Sequence, residues 1–189
     1  MPELPYEIWK ERIDNDLNKI EELKVLDKDS INRNEDFVEI VLNVKALGFI
    51  KKNTEIIPKN IHKIYLKINR MFPYPGGVDF TWLSEIFHPN IHPVKITSSS
   101  EEGTGYICLN ILKKWSRLSD LETIVKGLKI LVENPNPDDP LDYTVCKEAS
   151  KFFKKHKIEK LKKKYGLETD LQDKADDDDD EDDIVILDD

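Results

Sequence analysis

Apolar residues recur at helical spacing near the N-terminus, at Trp9, Ile13, Leu17 and Ile20, which predicts an amphipathic helix from Tyr6 to about Leu23. From Phe37 to Leu47 the pattern changes to alternation, with Val38, Ile40, Leu42, Val44 and Ala46 on one face. Similar short runs follow at Ile64 to Ile68 and Val78 to Phe87, so three or four antiparallel strands are expected. Between the last two, "FPYPGGV" places Pro73, Pro75, Gly76 and Gly77 together. It predicts a loop, because proline removes a backbone donor and glycine permits positive φ.

Further on, "GYICLNILKKW" spans residues 105 to 115. If it is extended, Ile107, Leu109 and Ile111 share one face and anchor inward, while Tyr106, Cys108 and Asn110 share the other. Taken alone, the stretch favours the ordinary role of a free cysteine, a small buried hydrophobe. "SDLE" then offers a capping box, with Ser119 as N-cap and Glu122 three residues on. The helix it starts has a core stripe of Leu121, Ile124, Val125, Leu128, Leu131 and Val132. Thr123, Lys126, Gly127 and Ile130 fall on the opposite face. "NPNPDDPL", 134 to 141, ends it, since three prolines cannot continue a helix.

A chain of 189 residues with 39% apolar residues suits one folded domain with an appendage. No apolar run is long enough for a membrane span, and the charged start "MPELPYEIWKERIDND" is no secretory signal, so an intracellular protein is expected. Cys108, Cys146 and four scattered histidines show no metal-ligand spacing, and a reducing compartment would leave both thiols free. Pro89 argues against the helix that would put His88 and His92 on one face. The net charge of −9 is uneven: residues 168–189 carry thirteen acids and one lysine, leaving about +3 on residues 1–167. Residues 147–164 hold nine lysines against two glutamates and predict a basic helix. A solvated face outweighs a nucleic-acid site there, because the acidic terminus competes for the lysines and no aromatic interleaving accompanies them.

The order of helix, strand meander, proline-rich loop, exposed cysteine, helix and "PNPDDPL" resembles that of the ubiquitin-conjugating enzymes. "FHPNI", 87 to 91, is similar to that family's His-Pro-Asn signature, "GYICLNIL" to its active-cysteine segment, and "PNPDDPL" to its post-helix loop. Trp115 and Ser116 also match. The match is specific from about Phe72 to Leu141; before that, only the order of elements agrees. The departures are eighteen positions between Asn90 and Cys108, Asn110 where aspartate or serine is more usual, a shortened proline-rich loop, Arg117 after the tryptophan-serine pair, and no glycine-rich turn before Phe72.

The resemblance implies an α+β fold of N-terminal helix, antiparallel meander, active-site loop, central helix and C-terminal helices over residues 1–167. It makes Cys108 the carrier of ubiquitin or a ubiquitin-like protein, taken as a thioester from an activating enzyme and passed to a lysine amine with a ligase. Sulfur suits both steps as nucleophile and leaving group. The amide of Asn90 either donates to the oxyanion or fixes its loop, and His88 holds that loop rather than acting as a base. Asp139 positions the incoming lysine and takes part in its deprotonation; Asn110 gates it. Thr123, Gly127 and Ile130 form the dock for the carried modifier, and Tyr74, Ser116 and Leu118 contact the ligase. Partners are then the modifier, activating enzyme, ligase and lysine-bearing substrates, with no membrane. The chain needs no cofactor of its own, ATP being used by the activating enzyme, and a cytoplasmic place follows.

Residues 91–104, "IHPVKITSSSEEGT", predict an inserted, mobile loop beside the sulfur, and Cys146 is expected to be half-buried and dispensable. Residues 168–189 are expected to be disordered. Within them, Ile184, Val185, Ile186 and Leu187, framed by acids, resemble motifs that bind SUMO-type modifiers by strand addition. A gatekept apolar patch, or a tail that folds back on the lysine-rich helix, are the alternatives. For the whole chain, the alternatives are a silent scaffold of the same fold, which the presence of Cys108 argues against, and a thiol hydrolase, for which no base is signalled locally.

Overall fold

A computed structural model describes residues 3–97, 101–108 and 120–165. Helix α1 (Tyr6–Glu22) leads into four strands, β1 (Leu26–Arg33), β2 (Phe37–Lys52), β3 (Glu55–Asn69) and β4 (Val78–Trp82). They pair antiparallel in the order β1-β2-β3-β4. Two short strands, β5 (Ile91–His92) and β6 (Tyr106–Ile107), form a separate antiparallel ladder, followed by α2 (Leu121–Glu133), α3 (Thr144–Lys155) and α4 (Ile158–Lys164). Among the described residues no helix is long and apolar enough to cross a membrane.

The alternation in β2 has the expected cause. Val38, Ile40, Leu42 and Val44 are buried against the α2 stripe Leu121, Ile124, Val125, Leu128, Leu131 and Val132, every one of which is also buried. Full burial of such a side chain stabilises by about 1.5–3 kcal/mol, so this sheet-helix layer is the main core. Trp9, Ile13, Leu17 and Ile20 of α1 complete it, and the Trp9 indole N–H donates to Asn69 O at 2.9 Å.

A bulge between Lys45 and Gly48 then shifts the β2–β3 register. An extra residue in one strand exchanges the faces of the side chains that follow, so the odd-numbered Leu47 and Phe49, unlike the exposed Lys45 before them, are buried. They join a second cluster with Phe87, Ala149 and Phe153, on which α3 and α4 sit. The β2–β3 turn needs no glycine, because Asn53 takes the left-handed conformation at φ 52° that its short side chain tolerates.

Several expectations are corrected. The basic segment is two helices broken at His156 and Lys157, and its inner side is apolar: Val145, Ala149 and Phe153 are buried. The N-cap of α2 is Asp120, whose carboxylate accepts from Thr123 N at 2.8 Å, in place of Ser119. Gly127 is buried, between the exposed Thr123, Lys126 and Ile130 of the same face of α2. Cys146 is 0% exposed rather than half-buried.

Candidate active site

Chain direction at the site is set by the turn His88-Pro89-Asn90. A single bridge pairs His88 with Ile91, and Asn90 N donates to His88 Nδ1 at 3.1 Å. His88 is almost wholly enclosed; burial pushes its imidazole down to about 3, so the ring is neutral and serves as an acceptor in the turn. β5 follows directly and pairs Ile91 with Ile107. Beyond the end of β6, Cys108 N donates to Asn90 O at 2.9 Å. Ile107 is buried and Tyr106 is 54% exposed, the alternation expected of an extended segment, and Cys108 is partly exposed.

The side chain of Asn90 faces the other way along the turn. Its Nδ2 donates to Asn136 O at 3.1 Å and Asp139 O at 2.8 Å, and its Oδ1 accepts from Asn136 N at 2.8 Å. Both amide hydrogens are therefore engaged by the loop after α2, and the amide fixes that loop. The same loop is held by Leu141 N donating to Pro89 O at 2.9 Å, by Ser150 Oγ donating to Pro137 O at 2.7 Å, and by the Asp138–Lys154 ion pair at 3.2 Å. Asp139, pinned by its own carbonyl, keeps its side chain exposed. Cys108, Asn90, His88 and the Asp139 loop are thus one bonded unit.

The second thiol is of another kind. Cys146 Sγ donates to Ile91 O at 3.4 Å, and burial, helped by Glu101, pushes it up to about 12. It packs beneath the site as a hydrophobe, with no thiolate to offer near neutral pH.

The segment 91–104, expected to be loose, is anchored where it is described. Val94 N donates to Trp82 O at 2.8 Å and Trp82 N to Gly105 O at 2.9 Å. A Cβ at Gly103 would sit 1.9 Å from Val94 O, a close backbone approach that only glycine allows. The buried His92 ring stacks on Tyr143 with centroids 3.7 Å apart and shares a 2.8 Å hydrogen bond with Thr104 Oγ1. Glu101 accepts from Thr144 N at 3.0 Å, at the start of α3. The sequence carried no motif for this group, because its members are separated along the chain.

Away from the sulfur, Ile130 is 51% exposed on α2 with Thr123 also exposed. Tyr74 lies in the β3–β4 loop, where Gly76 takes φ 87°. That loop adjoins α1: Leu4 N donates to Arg70 O at 2.9 Å and Arg12 stands over the Phe72 ring at 5.5 Å. Asn110, Ser116, Leu118 and the apolar run Ile184, Val185, Ile186 and Leu187 lie outside the described residues. Among the described residues no group of three or more His, Cys, Asp or Glu gathers as a metal site.

NEDD8-conjugating enzyme UBC12 of Saccharomyces cerevisiae is 43% identical over 90 residues, 47% of this chain and 39% of that protein. Ubiquitin-conjugating enzyme E2 T of Mus musculus is 33% identical over 111 residues, 56% of this chain and 47% of that protein. The matched stretch is less than half of either relative. The solved structure of S. cerevisiae Ubc12 is 26% identical with a TM-score of 0.46, covering 70% of this chain and 63% of that one. The family model described as "Ubiquitin-conjugating enzyme" matches residues 12–165, a stretch that takes in the His-Pro-Asn turn, the cysteine strand and the loop after α2, and the chain belongs to the ubiquitin-conjugating enzyme family.

Proposed function

We propose that this chain accepts ubiquitin or a ubiquitin-like protein on Cys108 and passes it to a lysine amine. The observation that carries the reading is the partly exposed Cys108, bonded through its backbone to Asn90, whose side chain in turn holds the loop of Asp139. In the first step the Cys108 thiolate attacks the thioester of a charged activating enzyme and that enzyme's thiol leaves. In the second, a lysine amine attacks the Cys108 thioester, the Cys108 thiolate departs, and an isopeptide bond forms. In this reading the exposed carboxylate of Asp139 orients the amine and accepts its proton, while Ile130 and Thr123 dock the carried modifier. The loop 70–77 and the adjoining α1 surface meet the ligase.

Among its relatives, UBC12 is named for NEDD8 and E2 T for ubiquitin, so both modifiers are tested. Incubation with ATP, an activating enzyme and its modifier, followed by a non-reducing gel, gives a thiol-sensitive adduct that is lost in Cys108→Ala and kept in Cys146→Ala. A silent scaffold forms no adduct, and a thiol hydrolase consumes a pre-made thioester instead.

A further inference from the structure

The lysines of α3 and α4 are not scattered. Lys147, Lys151, Lys154 and Lys155 follow one another at i, i+4, i+7 and i+8, opposite the buried Val145, Cys146, Ala149 and Phe153, so they form one solvent stripe. Lys157, Lys160, Lys163 and Lys164 are exposed along α4, whose Ile158 and Leu161 pack on the second core. Lys147 pairs with Asp142 and Lys154 with Asp138. Among the described residues Lys151, Lys155, Lys160 and Lys163 have no ion-pair partner. This is a cationic surface with few of its charges met.

The chain leaves that surface at Tyr165 and runs into residues 168–189, with thirteen acids and one lysine. Asp176, the first of eight consecutive acids, stands eleven residues past Tyr165, and an extended chain reaches about 36–40 Å over that distance. The two helices, twelve and seven residues long, measure about 18 and 10 Å at 1.5 Å per residue. The acidic block therefore reaches the whole stripe. Attachment through so short a connection sets an effective concentration on the order of millimolar, ahead of any dilute anion in solution.

We propose that residues 168–189 dock in cis on the lysine stripe of α3 and α4, with Asp176 to Asp183 as the main contact. The acidic segment then acts as a built-in competitor that reserves the stripe, and a polyanionic partner gains it only by displacing the tail. The contact is electrostatic and exposed, so it weakens as salt shortens the screening length from about 10 Å at 0.1 M.

The test uses the full chain at low micromolar concentration with a carbodiimide, which joins a carboxylate to a touching amine as an amide with loss of water. Peptide mapping of the monomeric product should place tail cross-links on Lys151, Lys155, Lys160 and Lys163, several-fold reduced at 0.5 M salt. Tail cross-links spread evenly over distant exposed lysines such as Lys10 and Lys24, or found only between two chains, overturn the proposal. A second measurement titrates long-chain inorganic polyphosphate. A chain with Asp176 to Asp180 changed to Asn and Glu181 to Gln should bind it at least tenfold more tightly at 50 mM salt, and Lys151→Gln with Lys155→Gln, Lys160→Gln and Lys163→Gln should remove that gain. Equal affinity of the wild-type and tail-neutralised chains overturns the proposal as well.

Discussion

Asn90 meets Cys108 through its backbone and the Asp139 loop through its side chain: Cys108 N donates to Asn90 O at 2.9 Å, and Asn90 Nδ2 donates to Asp139 O at 2.8 Å. One residue therefore sets the spacing between the thiol and the acid-bearing loop. Asn90→Ala leaves Asn136 N and two carbonyls without their partner, and an unsatisfied buried group costs about 1–3 kcal/mol. The variant should lose about that much in denaturant unfolding and discharge its modifier more slowly. Slowed discharge with unchanged stability would instead mean that the amide acts on the reacting carbonyl.

The two thiols should separate by reactivity. Cys108 is partly exposed and Cys146 is buried with its thiol pushed up to about 12, so a thiol-reactive chromogen at pH 7.5 should titrate one cysteine in the native chain and both in guanidinium. Cys108→Ser should keep the fold and trap the modifier as an oxyester that discharges more slowly, because the hydroxyl is the poorer leaving group. Rapid modification of both sulfurs in the native state contradicts this assignment.

Loading and discharge should also come apart. Asp139→Ala is expected to slow transfer to free lysine by about ten- to a hundredfold, in keeping with a loss of acid-base assistance, while loading stays within about twofold. Ile130→Asp, on the exposed face of α2, should likewise act mainly on discharge. Single-turnover assays of each step decide the point, and equal slowing of both steps reduces Asp139 to a turn residue.

Acid should destabilise the fold well above the carboxylate range. His62 and His88 are enclosed, and burial pushes them down to about 4 and about 3. Their depressed values mean that the unfolded chain takes up protons below about pH 6.5 while the folded chain does not. Stability is thus full above that pH and falls below it, down to about 4 for His62 and about 3 for His88, by up to about 1.4 kcal/mol per pH unit for each ring. Urea unfolding at pH 7.5, 6.5 and 5.5 should show the loss, of about 2–3 kcal/mol in all by pH 5.5. A flat profile over this range rules it out.

Much of this architecture was legible because its cause is local. Alternation from Phe37 to Ala46 marks a strand with one buried face, and Leu121 to Val132 carries a helical stripe that the core fills completely. What escaped depends on distant partners. Strand β1, "LDKDSINR", buries no side chain fully and exists through its ladder with β2, so it has no apolar rhythm to read. The break at His156 has no proline or glycine to announce it; it lies where Phe152 packs on Phe87 and His156 on Phe152. At the site, the Cys108 segment and the His-Pro-Asn turn were visible as short motifs. The grip of Asn90 on residues 136–139 was not, because it joins positions 46 and 49 residues apart.

The two-rung ladder Ile91↔Ile107 and His92↔Tyr106 closes the segment between β5 and β6 at its base. Once a loop is pinned at both ends, its length enters the free energy only logarithmically, about 0.6 kcal/mol for each doubling. Residues added between Thr97 and Glu101, which spares the contacts of Val94, Glu101, Gly103 and Thr104, are therefore a small thermodynamic change borne beside the sulfur, and the backbone bond from Cys108 to Asn90 is outside the part that grows. The ladder makes this stretch a graft site, where a peptide epitope or a substrate-recruiting sequence can be carried next to Cys108 without redesigning the sheet.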